Sequence, residues 1–82
     1  MKLPRDVGGR DLPGSLAEFG YAITRQSGSH LRLTSHAKGH VHQLTLPDHG
    51  PLRLGTLNAV LSDVARYLEL ERNELIQRLF GV

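Results

Sequence analysis

Cysteine is absent from this 82-residue chain. That removes disulfide staples, thiolate metal sites and thiol nucleophiles together. Long apolar runs are absent too: no stretch approaches the roughly 20 residues that a membrane span needs. The opening Met1-Lys2-Leu3-Pro4-Arg5-Asp6 lacks the apolar core of a signal peptide. The expectation is a soluble, cytoplasmic protein with no membrane partner. There is no Gly-x-Gly-x-x-Gly and no phosphate-loop lysine motif, so no small-molecule cofactor is expected. Repeats and low-complexity segments are likewise missing. A chain this short folds as one domain, taken as residues 1–82, with a single modest core. Any site should therefore be a surface groove rather than an internal cavity. Hydrophobic residues make up 39% of the chain, which argues against disorder.

Net charge is small, +2, but unevenly placed. Residues 21–55 carry Arg25, Arg32, Lys38 and Arg53 against one acid, Asp48. The five histidines, His30, His36, His40, His42 and His49, lie in the same stretch. Residues 56–82 set three arginines against four acids. A basic middle suits an anionic partner such as RNA or DNA. It equally suits a mildly basic surface with no ligand, and composition leaves both readings open.

The patterning predicts an α+β chain. After an extended lead-in over residues 1–8, Leu12, Leu16 and Phe19 fall on one helical stripe. That predicts a short helix from Gly9 or Asp11 to Phe19, with Pro13 in its first turn and Gly20 as its stop. Three alternating runs follow, Tyr21 to Gln26, Ser29 to Ser35 and Val41 to Pro47, separated by Ser27-Gly28 and by the turn from His36 to Gly39. They read as an antiparallel meander. Leu31, Leu33, Leu44 and Leu46 share one face, and His30, Arg32 and Thr34 the other. A loop from Asp48 to Gly55 leads to Thr56, a suitable N-cap for a helix with the stripe Leu57, Val60, Leu61, Val64 and Leu68. The helical pattern pauses near Glu69 and resumes with Leu75, Ile76, Leu79 and Phe80. Helices covering one face of a small sheet make a two-layer sandwich.

His30 is the first candidate for chemistry. Histidine gives or takes a proton near neutrality. Metal-free RNA cleavage needs a proton removed from the 2′-hydroxyl and one delivered to the leaving 5′-oxygen. Arg32, two residues on, shares the face of His30 and can neutralise charge on phosphoryl oxygens. Gly28 lets a backbone N–H approach a phosphate. Both an idle surface histidine and a proton-transfer group satisfy this local pattern. Ser29 is no triad partner, because neighbours on a strand point to opposite faces. His36, His40 and His42 raise a second reading, a zinc or nickel site, although no carboxylate or cysteine lies beside them. A histidine-bearing hairpin is also ordinary polar surface. His49 either joins the face of His30 or belongs to a turn.

The run Arg25-Gln26-Ser27-Gly28-Ser29-His30-Leu31-Arg32-Leu33 resembles the segment around the active-site histidine of the HicA (YcfA-like) toxins. Lys2-Leu3-Pro4-Arg5-Asp6 is similar to that family's start, Leu46-Pro47-Asp48-His49 to its third-strand end, and Gly55-Thr56-Leu57 with Val60-Leu61 to the opening of its long helix. The resemblance spans residues 2 to 79. It implies a fold like that of double-stranded-RNA-binding domains: a helix, a three-stranded antiparallel sheet and a helix, with room for an extra C-terminal helix. It further implies a toxin of a toxin–antitoxin module, an endoribonuclease that cleaves mRNA without metal. His30 would be catalytic, with Gly28, Ser29, Arg25, Arg32, Lys38 and His49 binding RNA, and no metal ligands. A HicB-type antitoxin would cover the site. The alternative is a non-catalytic RNA-binding module of the same fold. Ser27 stands where the family usually has lysine, which removes one phosphate-binding charge. Gly8, Pro13 and Gly14 stand where the family's first helix has better helix formers, a departure that costs up to about 3 kcal/mol if Pro13 lies in the helix interior.

Overall fold

The structure, a computed structural model, describes residues 11–48 and 51–81. The lead-in over residues 1–8, the earliest helix start at Gly9, His49 and Gly50 lie outside the described residues. Helix α1 spans Leu12–Leu16 and tightens into a 3₁₀ turn over Ala17–Phe19. Pro13 occupies its first turn, where a missing N–H costs nothing. The stability loss expected of an interior proline therefore does not arise. Strands β1 (Ala22–Ser27), β2 (His30–Ser35) and β3 (His42–Pro47) form an antiparallel sheet in the order β1-β2-β3. Helices α2 (Leu54–Leu68) and α3 (Arg72–Phe80) complete the chain. Helix, three-stranded meander and two helices make the α+β sandwich expected of a fold like that of double-stranded-RNA-binding domains.

Period-two alternation sorts the sheet into two faces. Leu31 pairs with Leu46 and Leu33 with Leu44, and all four are buried. They meet Leu12 and Leu16 from α1, the stripe Leu57, Val60, Leu61, Val64 and Leu68 from α2, and Leu75 and Ile76 from α3. The amide side chain of Asn58 accepts a hydrogen bond from Arg72, which ties α3 to α2. No helix among the described residues is long and apolar enough to cross a membrane.

One helix start differs from expectation. Thr56 is not the N-cap of α2. The helix begins three residues earlier, with extended Arg53 as the cap, and the Leu57 N–H donates to the Arg53 carbonyl at 2.9 Å. The first turn thus closes upstream of Thr56 and takes in Gly55, which was expected in the loop. The pause near Glu69 is real: Glu69 adopts the left-handed conformation at φ 58° and ends α2.

The junction between α1 and the sheet depends on Gly20. Its φ of 86° is left-handed, and a Cβ there would stand 3.2 Å from Ser35 Oγ and 3.3 Å from Ala37 Cβ. Ser35 is fully buried and satisfied: its hydroxyl donates to the Phe19 carbonyl at 3.1 Å and accepts from the Ala37 N–H at 3.2 Å. Gly20→Ala should destabilise the domain by about 1–2 kcal/mol from the backbone conformation alone. A lowered urea midpoint followed by circular dichroism checks this, and an unchanged midpoint contradicts it.

Candidate functional site

The Gly28–Ser29 turn sets the site. Ser27 pairs with His30, so these two residues form the tightest class of hairpin loop. Gly28 takes a φ of 58° while Ser29 stays at negative φ, the pattern of a type II′ turn, which calls for glycine at its first central position. From this turn the register runs on: Gln26 opposite Leu31, Arg25 opposite Arg32. Since Leu31 is buried, Gln26 lies on the helix side and Arg25 on the open side with Arg32.

The other end of β1 imposes a conflicting count. Tyr21 is buried and Ile23 pairs with Leu33, so alternation from Tyr21 would place Arg25 among the leucines. A bulge between Ile23 and Arg25 absorbs the mismatch. Thr24 is the extra residue. Its hydroxyl reaches Thr34 Oγ1 at 2.8 Å and the Arg32 carbonyl at 3.4 Å, so it joins Arg25 on the open side. Thr34, expected to be exposed, is buried there.

The open face therefore carries cross-strand rows. Ser27, His30 and Pro47 form the row nearest the turn, and Arg25, Arg32 and Thr45 the next. A groove of about 240 Å³ runs between them, lined by Arg25, Ser27, His30, Arg32 and Thr45. His30, Arg25 and Arg32 are all exposed. Cationic side chains directly opposite on neighbouring strands repel each other. Among the described residues neither Arg25 nor Arg32 makes an ion pair, whereas Lys38, Arg66 and Arg78 each do. Asp48, after Pro47, turns to the helix side, where Gln26 Nε2 donates to it at 2.8 Å.

Of the residues singled out in the sequence, His30, Arg25 and Arg32 come together, with Gly28 and Ser29 as the turn beside them. Lys38 does not join them. It lies past the far end of β2, about 17 Å along the strand, and pairs with Glu69 at 3.1 Å. His49 lies outside the described residues. His36, His40 and His42 do not converge as a ligand set, and among the described residues no three metal-ligating side chains do.

His40 and His42 instead pack on Tyr67, which the sequence reading passed over. The His42 ring stacks on Tyr67 at 4.7 Å and 14°, and His40 meets it edge-on at 4.9 Å. The Tyr67 hydroxyl donates to the His40 carbonyl at 2.5 Å and accepts from the Lys38 N–H at 3.1 Å, so it clamps the β2–β3 turn. Its place on α2, between Val64 and Leu68 of the apolar stripe, was the available signal. Beside this cluster a second groove of about 480 Å³ is bordered by Asp63, Arg66 and Glu69.

A model of the HicA toxin of bacterial toxin–antitoxin systems matches residues 9–65, a span holding the whole meander and most of α2. The chain belongs to the HicA toxin family. It is thus the toxin of a toxin–antitoxin pair. The match is narrower at both ends than residues 2 to 79, and α3 lies beyond it. No curated protein and no solved structure matches the chain.

Tyr21 offers a test of the clamp at the far end. Its hydroxyl stands 2.6 Å from His42 Nδ1. Burial first, then the neighbouring Tyr67 and Asp63, push its pKa well above the ordinary phenol value. The folded state therefore holds this proton at a pH where the unfolded chain has lost it. The stability linked to Tyr21 is complete below about pH 10 and falls as pH rises beyond it. Urea midpoints measured from about pH 8 to about pH 11 should decline, and the decline should be shallower in Tyr21→Phe. Parallel curves would contradict this assignment.

Proposed function

We propose that this HicA-family toxin is an endoribonuclease that cleaves mRNA at the open sheet face, with His30 as general acid or base. The carrying observation is the placement of His30: exposed, next to a glycine turn, one row from two arginines that make no ion pair among the described residues. Family membership supports the same reading. Cleavage by internal attack forms a bond from the 2′-oxygen to phosphorus and breaks the bond from phosphorus to the 5′-oxygen. One proton leaves the 2′-hydroxyl and one reaches the 5′-oxygen. His30 carries one of these transfers at neutral pH. Arg25 and Arg32 hold or neutralise phosphate of the RNA backbone. Gly28, Ser29, Lys38 and His49 are assigned to RNA as well, Lys38 at the far end of the sheet. The mechanism needs no metal. A HicB-type antitoxin silences the toxin by covering the groove, residues 1–82 act as one HicA-like domain, and the cytoplasm, where mRNA is found, is the place of action.

His30→Ala should lower RNA cleavage in EDTA by about 10²- to 10⁴-fold, the usual contribution of a positioned acid or base. It should also abolish growth arrest while leaving the circular dichroism spectrum unchanged. A folded variant that cleaves as fast as the parent removes His30 from the reaction. A parent that binds RNA and leaves it whole favours the non-catalytic module instead.

A further inference from the structure

Arg25 and Arg32 line the same groove as His30 but stand one cross-strand row further along the sheet. Arg32 is two residues from His30 on the same strand, which displaces it about 6.7 Å toward the sheet centre. Arg25 is placed opposite Arg32 rather than opposite His30. His30 itself faces Ser27 and Pro47, which carry no charge. Chemistry and charge thus occupy successive rows, with a spacing comparable to that between consecutive phosphates of one nucleic-acid strand. Two guanidiniums opposite each other on neighbouring strands, with no ion-pair partner among the described residues, repel each other, and an anion held between them would relieve that repulsion. The two hairpin strands and the Thr24 bulge hold both on the same face.

We infer that Arg25 and Arg32 form a separate subsite for the phosphate next to the scissile one, and that the substrate is an unpaired RNA strand with at least two consecutive phosphates. The inference rests on the cleavage reading above for which phosphate is cut. Among the described residues the open face carries no phenylalanine, tyrosine or tryptophan; beyond His30 and the two arginines it presents Thr24, Thr34, Gln43 and Thr45. Bases therefore find at most the His30 ring to stack on, and the backbone provides most of the grip. Attack in line with the departing 5′-oxygen requires a backbone free to rotate, which a paired strand lacks. The second phosphate anchors that backbone while the sugar at His30 turns into line.

The test uses the full chain and short RNAs that differ by one phosphate: a dinucleoside monophosphate, the same dimer with an added 5′- or 3′-phosphate, and a trinucleoside diphosphate. In the parent, kcat/KM should rise about tenfold or more from one phosphate to two, as expected of a charge-assisted contact. Only one of the two phosphorylated dimers should show the gain, which gives the direction of the strand. In Arg25→Ala and in Arg32→Ala the ratio of two-phosphate to one-phosphate rates should fall toward one. A parent ratio near one overturns the subsite, and so does a ratio that the arginine variants leave unchanged.

A binding arm separates this inference from the cleavage reading. His30→Ala should bind a 2′-O-methyl trinucleoside diphosphate more tightly than the matching monophosphate. Each arginine replacement on that background should reduce the salt slope of binding by about 1. Salt slopes that the replacements do not change overturn the subsite. The expected binding results in a parent that cleaves nothing uphold the phosphate pair and remove only the cleavage assignment. Melting curves of all variants confirm that each is folded.

Discussion

Burial of Leu31, Leu33, Leu44 and Leu46 beneath three helices leaves β2 and β3 one workable register, and the open face follows from it. A slip of β2 by one residue would expose Leu31 and Leu33 and turn His30 and Arg32 into the core. Burying a leucine is worth about 1.5–3 kcal/mol, so such a slip would cost much of the stability a domain this small has. The position of His30 is therefore enforced by residues that never touch it. Only β1 has freedom to disagree, since it lies at the edge and its residues are exposed. Its disagreement is the Thr24 bulge, which lets Tyr21 stay in the core while Arg25 faces outward.

The meander has two ends with opposite characters. At the Gly28–Ser29 end the side chains are exposed, and Arg25 and Arg32 have no counter-ions among the described residues. At the other end polar groups are engaged. Tyr67 holds the β2–β3 turn, His42 stacks on Tyr67 and meets Tyr21, and Lys38 pairs with Glu69. The histidines that crowd the middle of the sequence thus divide by place in the sheet. His40 and His42 belong to the aromatic clamp, while His30 is left facing solvent. Charges left uncompensated at one end among the described residues, beside charges paired at the other, are what the proposed anion site rests on.

Much of this was readable in the sequence, for physical reasons. Strong alternation of leucines with polar residues specified β2 and β3, and the glycine turn specified how β1 joins them. The short first helix, the stop at Gly20 and the pause at Glu69 followed from local backbone preferences. What escaped reading depends on contacts distant along the chain. No residue in Ile23-Thr24-Arg25 announces a bulge, because it arises from two anchors, Tyr21 in the core and the hairpin turn, whose counts differ by one. The role of Tyr67 required α2 to lie beside the β2–β3 turn. Thr56 has the right side chain for a cap but lost the position when the Leu57 N–H found the Arg53 carbonyl. Lys38 was grouped with His30 by charge alone, and the length of β2 separates them.

An open groove constrains how such a site can work. In the proposed reading Arg25 and Arg32 act in water, where each contact with phosphate would be weaker than in a buried cleft. Tight substrate binding by the groove alone is not available to a chain of this size, and mobile salt screens what attraction there is. Affinity must therefore accumulate over successive phosphates, which a flat sheet with cations in a separate row from the histidine permits. The same flatness suits regulation. An open face with two arginines that make no ion pair among the described residues presents one surface, so a partner of opposite charge laid across it would, in the proposed reading, exclude RNA from both rows at once.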